Sequence, residues 1–272
     1  MIRITVTEFK RLMSRRMTWF FPLGLAALMV GGIVIAYFVI ENDDDNTPNL
    51  VQDIAGGVEL ESYFVPIAVL LPLMAFVIGS SYFGADVKTG MIEQILTWEP
   101  RRLRLLSARL VSAVVGVAIL AAILAVIYVG LTFVLAGLVG TTDGTNGEFW
   151  GNVVKAIGRL AVAGGLFCAF GLGVTVITNN SLASIVGFFI YWFIIENLIG
   201  LFLRKVSVYA PITNATAFAN RSDVERIEGS AFQEEVDLVV SHGWRAAGLI
   251  LAGWSLLSIV VGAFMFNRRD IA

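Results

Sequence analysis

Six largely apolar stretches, separated by polar runs, set the pattern of this chain: they cover about 18–40, 63–84, 110–139, 153–177, 182–203 and 244–266. A hydrocarbon core needs about 20 apolar residues per crossing helix, so each stretch predicts a span and the chain reads as an all-α integral membrane protein. Ahead of them, residues 1–17 set Arg3, Lys10, Arg11, Arg15 and Arg16 against Glu8, with Ile4, Phe9, Leu12 and Met13 available for an apolar side. That predicts an amphipathic helix lying in the membrane interface. The first apolar run is too long for a signal sequence and no small-residue cleavage site follows it, so it is read as a span.

Within the spans, a few positions stand out. Pro66 and Pro72 interrupt the second, where neighbouring helices or water must satisfy the freed carbonyls. The third is longer than a hydrocarbon core requires and predicts tilt or an interfacial extension. In the fourth, Ala161, Gly165, Ala169 and Gly173 recur every four residues, a small-residue stripe that lets another helix approach closely, within the subunit or between subunits. Asn179, Asn180 and Ser181 predict a tight turn into the fifth span. Glu196 lies some fifteen residues along that span, roughly 22 Å from its start, where it either meets headgroups, the favoured reading, or lines a polar cavity. Residues 204–243 form a polar, acidic loop whose more apolar start, 206–218, is able to dip into the bilayer as a re-entrant piece.

The segment 86–109 between the second and third spans differs from every other connection. Met91, Ile92, Ile95 and Leu96 recur at helical spacing on one face, while Glu93 and Gln94 turn away. This helix is expected to stop at Glu99, because Pro100 disfavours helical geometry at the preceding residue and opens a new helix well. Arg101, Arg102, Arg104 and Arg109 then make the new helix start basic. The pattern suits either a surface that docks on a partner or an interfacial loop whose arginines face lipid phosphates.

Composition agrees with the pattern: 57% hydrophobic and 15% charged residues, with a mean hydropathy of +0.82, exclude an ordinary soluble domain. The lone Cys168 sits in an apolar run, where a small buried hydrophobe is expected, and the lone His242 excludes a multi-histidine metal site. Twelve of the 19 Lys and Arg lie on the side that holds both termini and 86–109. The excess of positive charge predicts cytoplasmic termini in a cell (plasma) membrane, and makes 204–243 extracellular. Neither H-E-x-x-H nor G-x-S-x-G occurs, and Lys88-Thr89 lacks the glycine that a phosphate-binding loop places before its lysine. No enzymatic activity, cofactor or nucleic-acid partner is therefore expected of this chain.

In its order of features the sequence resembles the permease subunits of type-2 ATP-binding-cassette exporters. The features are E-F-K-R-L at 8–12 before the first span, the acid-and-glycine stretch 86–90, L-T-W-E-P-R-R at 96–102 with Arg109 entering the third span, the short turn between the fourth and fifth, and F-N-R-R-D-I at the end. Trp98 and Glu99 stand where small residues are more usual. The resemblance implies a second permease copy, as a homodimer or heterodimer, and separate nucleotide-binding subunits that carry ATP and Mg. It also implies that Met91, Ile92, Ile95, Leu96, Glu99, Pro100, Arg101 and Arg102 seat on the ATPase and couple its closure to alternating access. A membrane receptor or accessory immunity protein would share the helices without transport.

Overall fold

An amphipathic helix, α1 (Ile2–Met13), turns at Ser14 and Arg15 into the first apolar helix, α2 (Arg16–Glu41). Next come α3 (Ile67–Lys88), the short α4 (Met91–Trp98), α5 (Arg102–Val139) and α6 (Gly147–Thr178). The helix α7 (Ser181–Phe202) contains a π-helical stretch at Tyr191–Glu196. After it come α8 (Arg204–Ser207), α9 (Pro211–Asn220), an antiparallel hairpin of β1 (Val224–Glu228) and β2 (Asp237–His242), and α10 (Trp244–Arg268). This computed structural model describes residues 2–41, 67–98, 101–140, 142, 145–228 and 237–268. Among them, six helices are long and apolar enough to cross a membrane: α2, α3, α5, α6, α7 and α10. The start of the second span expected at 63–66, with Pro66, lies outside the described residues.

The helix boundaries differ from the sequence expectation most at one end of the bundle, here called the base. There α3 continues through Asp86 to Lys88, and α5 begins at Arg102. Much of the supposed connection 86–109 is thus the ends of two spans, joined by α4. At 38 residues α5 is about 57 Å long, well beyond a hydrocarbon core of about 30 Å, and its basic first turns form the excess.

Helix α6 is the centre of the bundle and packs on α3, α5 and α10. Its glycines explain how. A Cβ on Gly165 would meet Val114 Cγ1 of α5 at 3.2 Å, and one on Gly173 would come within 2.7 Å of the Ser258 carbonyl carbon of α10. The stripe containing Ala161 and Ala169 therefore serves packing within the subunit, and it divides between two neighbours. The closest crossing lies on another face: Gly171 abuts the backbone of Phe76, while Gly79 abuts that of Cys168. Ser80 Oγ donates to the Gly171 carbonyl at 3.1 Å across the same contact. Cys168 is a free, buried thiol there.

At the opposite end, residues 204–243 are more than a polar loop. Pro211 opens α9 at a position where its missing N–H costs nothing, and the helix packs among α3, α6 and α10. Buried Asn214 donates to the Val208 and Ala210 carbonyls, both at 2.8 Å, which leaves its Oδ1 facing His242 Nε2 at 2.9 Å. Nε2 must then carry the proton. Burial pushes the His242 pKa below its ordinary 6.5, so the folded chain holds the second proton less tightly than the unfolded chain. Stability contributed here is present above the unfolded pKa and is lost as pH falls through the lower folded value. Thermal melts in detergent should show wild type losing more stability between pH 7 and pH 5 than His242→Gln, and superimposable pH profiles would contradict this.

Candidate functional site

The base of the bundle holds five charged side chains and a tyrosine drawn from three helices and a turn. In α1, Glu8, Arg11 and Leu12 share a face by helical spacing, and Arg15 follows in the turn. In α3, Tyr82 and Asp86 stand one above the other at i and i+4. Arg109 comes from α5. Asp86 is the hub: its Oδ1 accepts from Arg11 Nη2 at 2.7 Å and Arg15 Nη2 at 2.5 Å, and its Oδ2 lies 3.0 Å from Arg109 Nη2. Glu8 sits between Arg11 and Arg109 at 3.6 Å from each, and its Oε2 accepts from the Tyr82 hydroxyl at 2.5 Å. Arg15 also donates to the Tyr82 carbonyl at 2.9 Å and lies 4.9 Å over the Tyr82 ring.

Burial gives these contacts their weight. Asp86 is 2% exposed and Arg109 is 1% exposed, so neither charge can retreat to water. Exposed ion pairs contribute about 0–1 kcal/mol, whereas removing one partner of a buried pair costs about 3–5 kcal/mol. The cluster fastens α1 to the base ends of α3 and α5. Leu12 reinforces it by packing against Gly116 of α5, where a Cβ would meet Leu12 Cδ2 at 2.6 Å, and Ser112 Oγ donates to the Thr5 carbonyl at 2.8 Å.

The residues expected to dock on a partner are distributed differently. Ile92 is 6% exposed and belongs to the main core of the chain, with Leu96 packed against that core, so this face of α4 does not wait for an external groove. An apolar helix face beside two spans is simply buried on them. Ile95 is half-buried, whereas Met91 is 38% exposed and Gln94, Thr97 and Arg101 are exposed. Met91 Sδ is in contact with Arg11 Nη2, linking α4 to the cluster. Arg102 donates to the Phe266 carbonyl at 3.3 Å, and so ties the start of α5 to the end of α10. Glu99 and Pro100 lie outside the described residues. Arg109 does not face lipid phosphates; it is the most enclosed cation of the cluster.

Glu196, within the π-helical stretch of α7, lines a cavity of about 580 Å³ together with Trp192, Thr213 and Glu225. Its Oε1 accepts from the Thr213 N–H at 3.1 Å and hydroxyl at 3.0 Å, which ties α7 to α9. Its Oε2 is enclosed with no hydrogen-bond partner among the described residues. The carboxylate is turned to α9 and the cavity. Among the described residues no group of three His, Cys, Asp or Glu side chains could hold a metal ion.

Sequence reasoning passed over Glu8, Arg11, Arg15, Tyr82 and Asp86 as a site. The available signal was complementarity: Asp86 is the one acid between Glu61 and Glu93, and Arg109 is a single cation set within Leu105–Val117-like apolar spacing. Six helices long and apolar enough to cross a membrane, with a buried charge cluster at one end of the bundle, are those of a polytopic α-helical membrane protein. The chain belongs to the family described as "Protein of unknown function (DUF2705)", whose model matches residues 24–272. A search of curated proteins finds no match.

Proposed function

We propose that this chain is the membrane-spanning permease subunit of an ATP-binding-cassette exporter, in which a separate ATP-hydrolysing subunit drives alternating access. The observation that carries the reading is the placement of α4. It is a short helix, about 12 Å long, between the base ends of two spans, with its inner face in the core and its outer face exposed. Ile92 fixes it to the core, Lys88–Gly90 connects it directly to α3, and the Asp86 cluster joins α3 to α5 and α1. A push on the outer face of α4 is therefore passed to two spans and the N-terminal helix as one body. The energy comes from the partner subunit, and the permease contributes the difference in stability between its two states.

On this reading the base faces the cytoplasm of a cell membrane, where the excess of Lys and Arg lies, and a second copy of the chain completes the path. ATP and Mg belong to the partner.

The test uses the exposed face alone. Gln94→Asp with Thr97→Asp places two charges where the ATPase would seat, so co-isolation of the ATPase and transport-stimulated ATP hydrolysis are expected to fall at least tenfold while the permease still inserts and melts normally. Ile92→Asp, by contrast, buries a charge in the chain's own core and is expected to lose the fold. Wild-type co-isolation and hydrolysis in the Gln94/Thr97 variant would sink the docking role of α4, and failure of any ATPase to co-isolate with the wild-type chain would favour a receptor or accessory protein.

A further inference from the structure

A second basic feature lies at the base, beside the charge cluster. A cavity of about 390 Å³ opens between the α1–α2 turn, one face of α3 and the start of α7. Arg15, Arg16 and Lys88 line it, and among the described residues no acidic one does. Arg15 already serves Asp86 and Tyr82, but Arg16 and Lys88 are exposed and have no acidic partner among the described residues. The neighbouring cluster does not compensate for them, because it sets three guanidiniums against two carboxylates. Ser181, the first residue of α7, lies on the opposite wall, where the positive end of a helix dipole adds to the same sign of potential.

The rest of the lining mixes hydroxyl-bearing side chains, Thr18, Ser81 and Tyr82, with apolar ones. Ile78 and Ala85 come from α3, and Met17 stands at the start of α2. From Met17 the exposed apolar surface continues along α2 through Phe20 and Leu23, and Trp19 is exposed beside it, as aromatic residues at a membrane interface commonly are. The cavity is therefore lined by three cations and adjoins an exposed apolar surface on α2.

We propose that this cavity binds the headgroup phosphate of an anionic phospholipid, with its acyl chains lying along the exposed face of α2. A basic pocket between spanning helices suits such headgroups, and the apolar surface distinguishes a lipid from a free phosphate, which has no use for it. Because Arg15 belongs both to this cavity and to the Asp86 cluster, bound lipid would act on the fastening of α1 as well as on the pocket.

The experiment is a thermal melt of the purified chain in neutral detergent, titrated with phosphatidylglycerol, phosphatidylcholine or inorganic phosphate. Phosphatidylglycerol is expected to raise the melting temperature, and the other two to leave it unchanged at equal concentration. In Arg16→Gln/Lys88→Gln the half-saturating concentration of phosphatidylglycerol should rise about 30-fold, the equivalent of about 1 kcal/mol for each lost cation. If that variant does not fold, Lys88→Gln should still show about a 5-fold rise, and the charge-retaining Lys88→Arg none. An equal response to phosphatidylcholine, or an unchanged titration in the glutamine variants, overturns the site. An equal response to inorganic phosphate overturns the lipid as its occupant in favour of a soluble anion.

Discussion

Asp86→Ala should destabilise the chain by about 3–5 kcal/mol and release α1 from the bundle. The magnitude follows from which partner is stranded. Arg11 and Arg15 keep about a fifth of their side-chain surface exposed, so without Asp86 they can swing towards water at little cost. Arg109 cannot, being enclosed, and it would be left with Glu8 at 3.6 Å as its remaining carboxylate. The measurement is a melt in detergent together with limited proteolysis at Lys10, Arg11 and Arg15, which become accessible once α1 lifts. Removing the stranded charge gives the control: Asp86→Ala with Arg109→Met should recover most of the loss, since a buried pair replaced by apolar side chains of similar volume is often neutral. Wild-type melting and protease resistance in Asp86→Ala would show that the cluster is not what holds α1.

The same cluster marks where the sequence was legible and where it was not. Apolar length alone located the six helices that are long and apolar enough to cross a membrane, because a bilayer sets a single strong requirement for such helices. The tight turn at Asn179 and Asn180 was legible for a local reason. Asn179 takes the left-handed conformation at φ 56°, and the Asn180 side chain accepts from the Leu182 and Ala183 N–H groups, which are uses that asparagine favours. Asp86 and Arg109 were different. Each looks like an ordinary interfacial charge in its own segment, and only the pairing of α1 with α3 and α5 shows that they meet. Ile92 and Leu96 show the same limit: helical spacing identified their shared face, but not that the chain's own core covers Ile92 and part of Leu96. Glu196 was placed by counting residues along a regular helix, whereas its surroundings depend on the π-helical stretch and on α9 folding back against it.

Gly171→Ala is expected to be among the most damaging one-carbon changes in the spans, and it separates the two kinds of small-residue contact made by α6. At Gly171 the added Cβ would meet backbone: the Phe76 carbonyl oxygen, with its carbon and Cα both at 3.0 Å. Gly79 presents the reciprocal problem against Cys168, whose carbonyl carbon would lie at 2.9 Å. Backbone within a spanning helix has no rotamer by which to yield, so α3 and α6 would have to separate, and Ser80 would lose its hydrogen bond to the Gly171 carbonyl. Overpacking of this kind costs about 1–3 kcal/mol or more, and the upper end applies here. Gly165→Ala meets a Val114 methyl at 3.2 Å, which can shift by a few tenths of an ångström, so its cost should stay near the lower end. Gly158 has nothing within 4 Å of the added carbon and serves as the neutral control. Melting temperatures in detergent should therefore fall in the order Gly158→Ala, Gly165→Ala, Gly171→Ala. Because α3 continues to α4 and carries Asp86, the separation should reach the base as well, making α1 more sensitive to protease in Gly171→Ala than in Gly165→Ala. Equal melting of Gly171→Ala and Gly158→Ala would mean that the α3–α6 crossing is looser than its backbone contacts indicate.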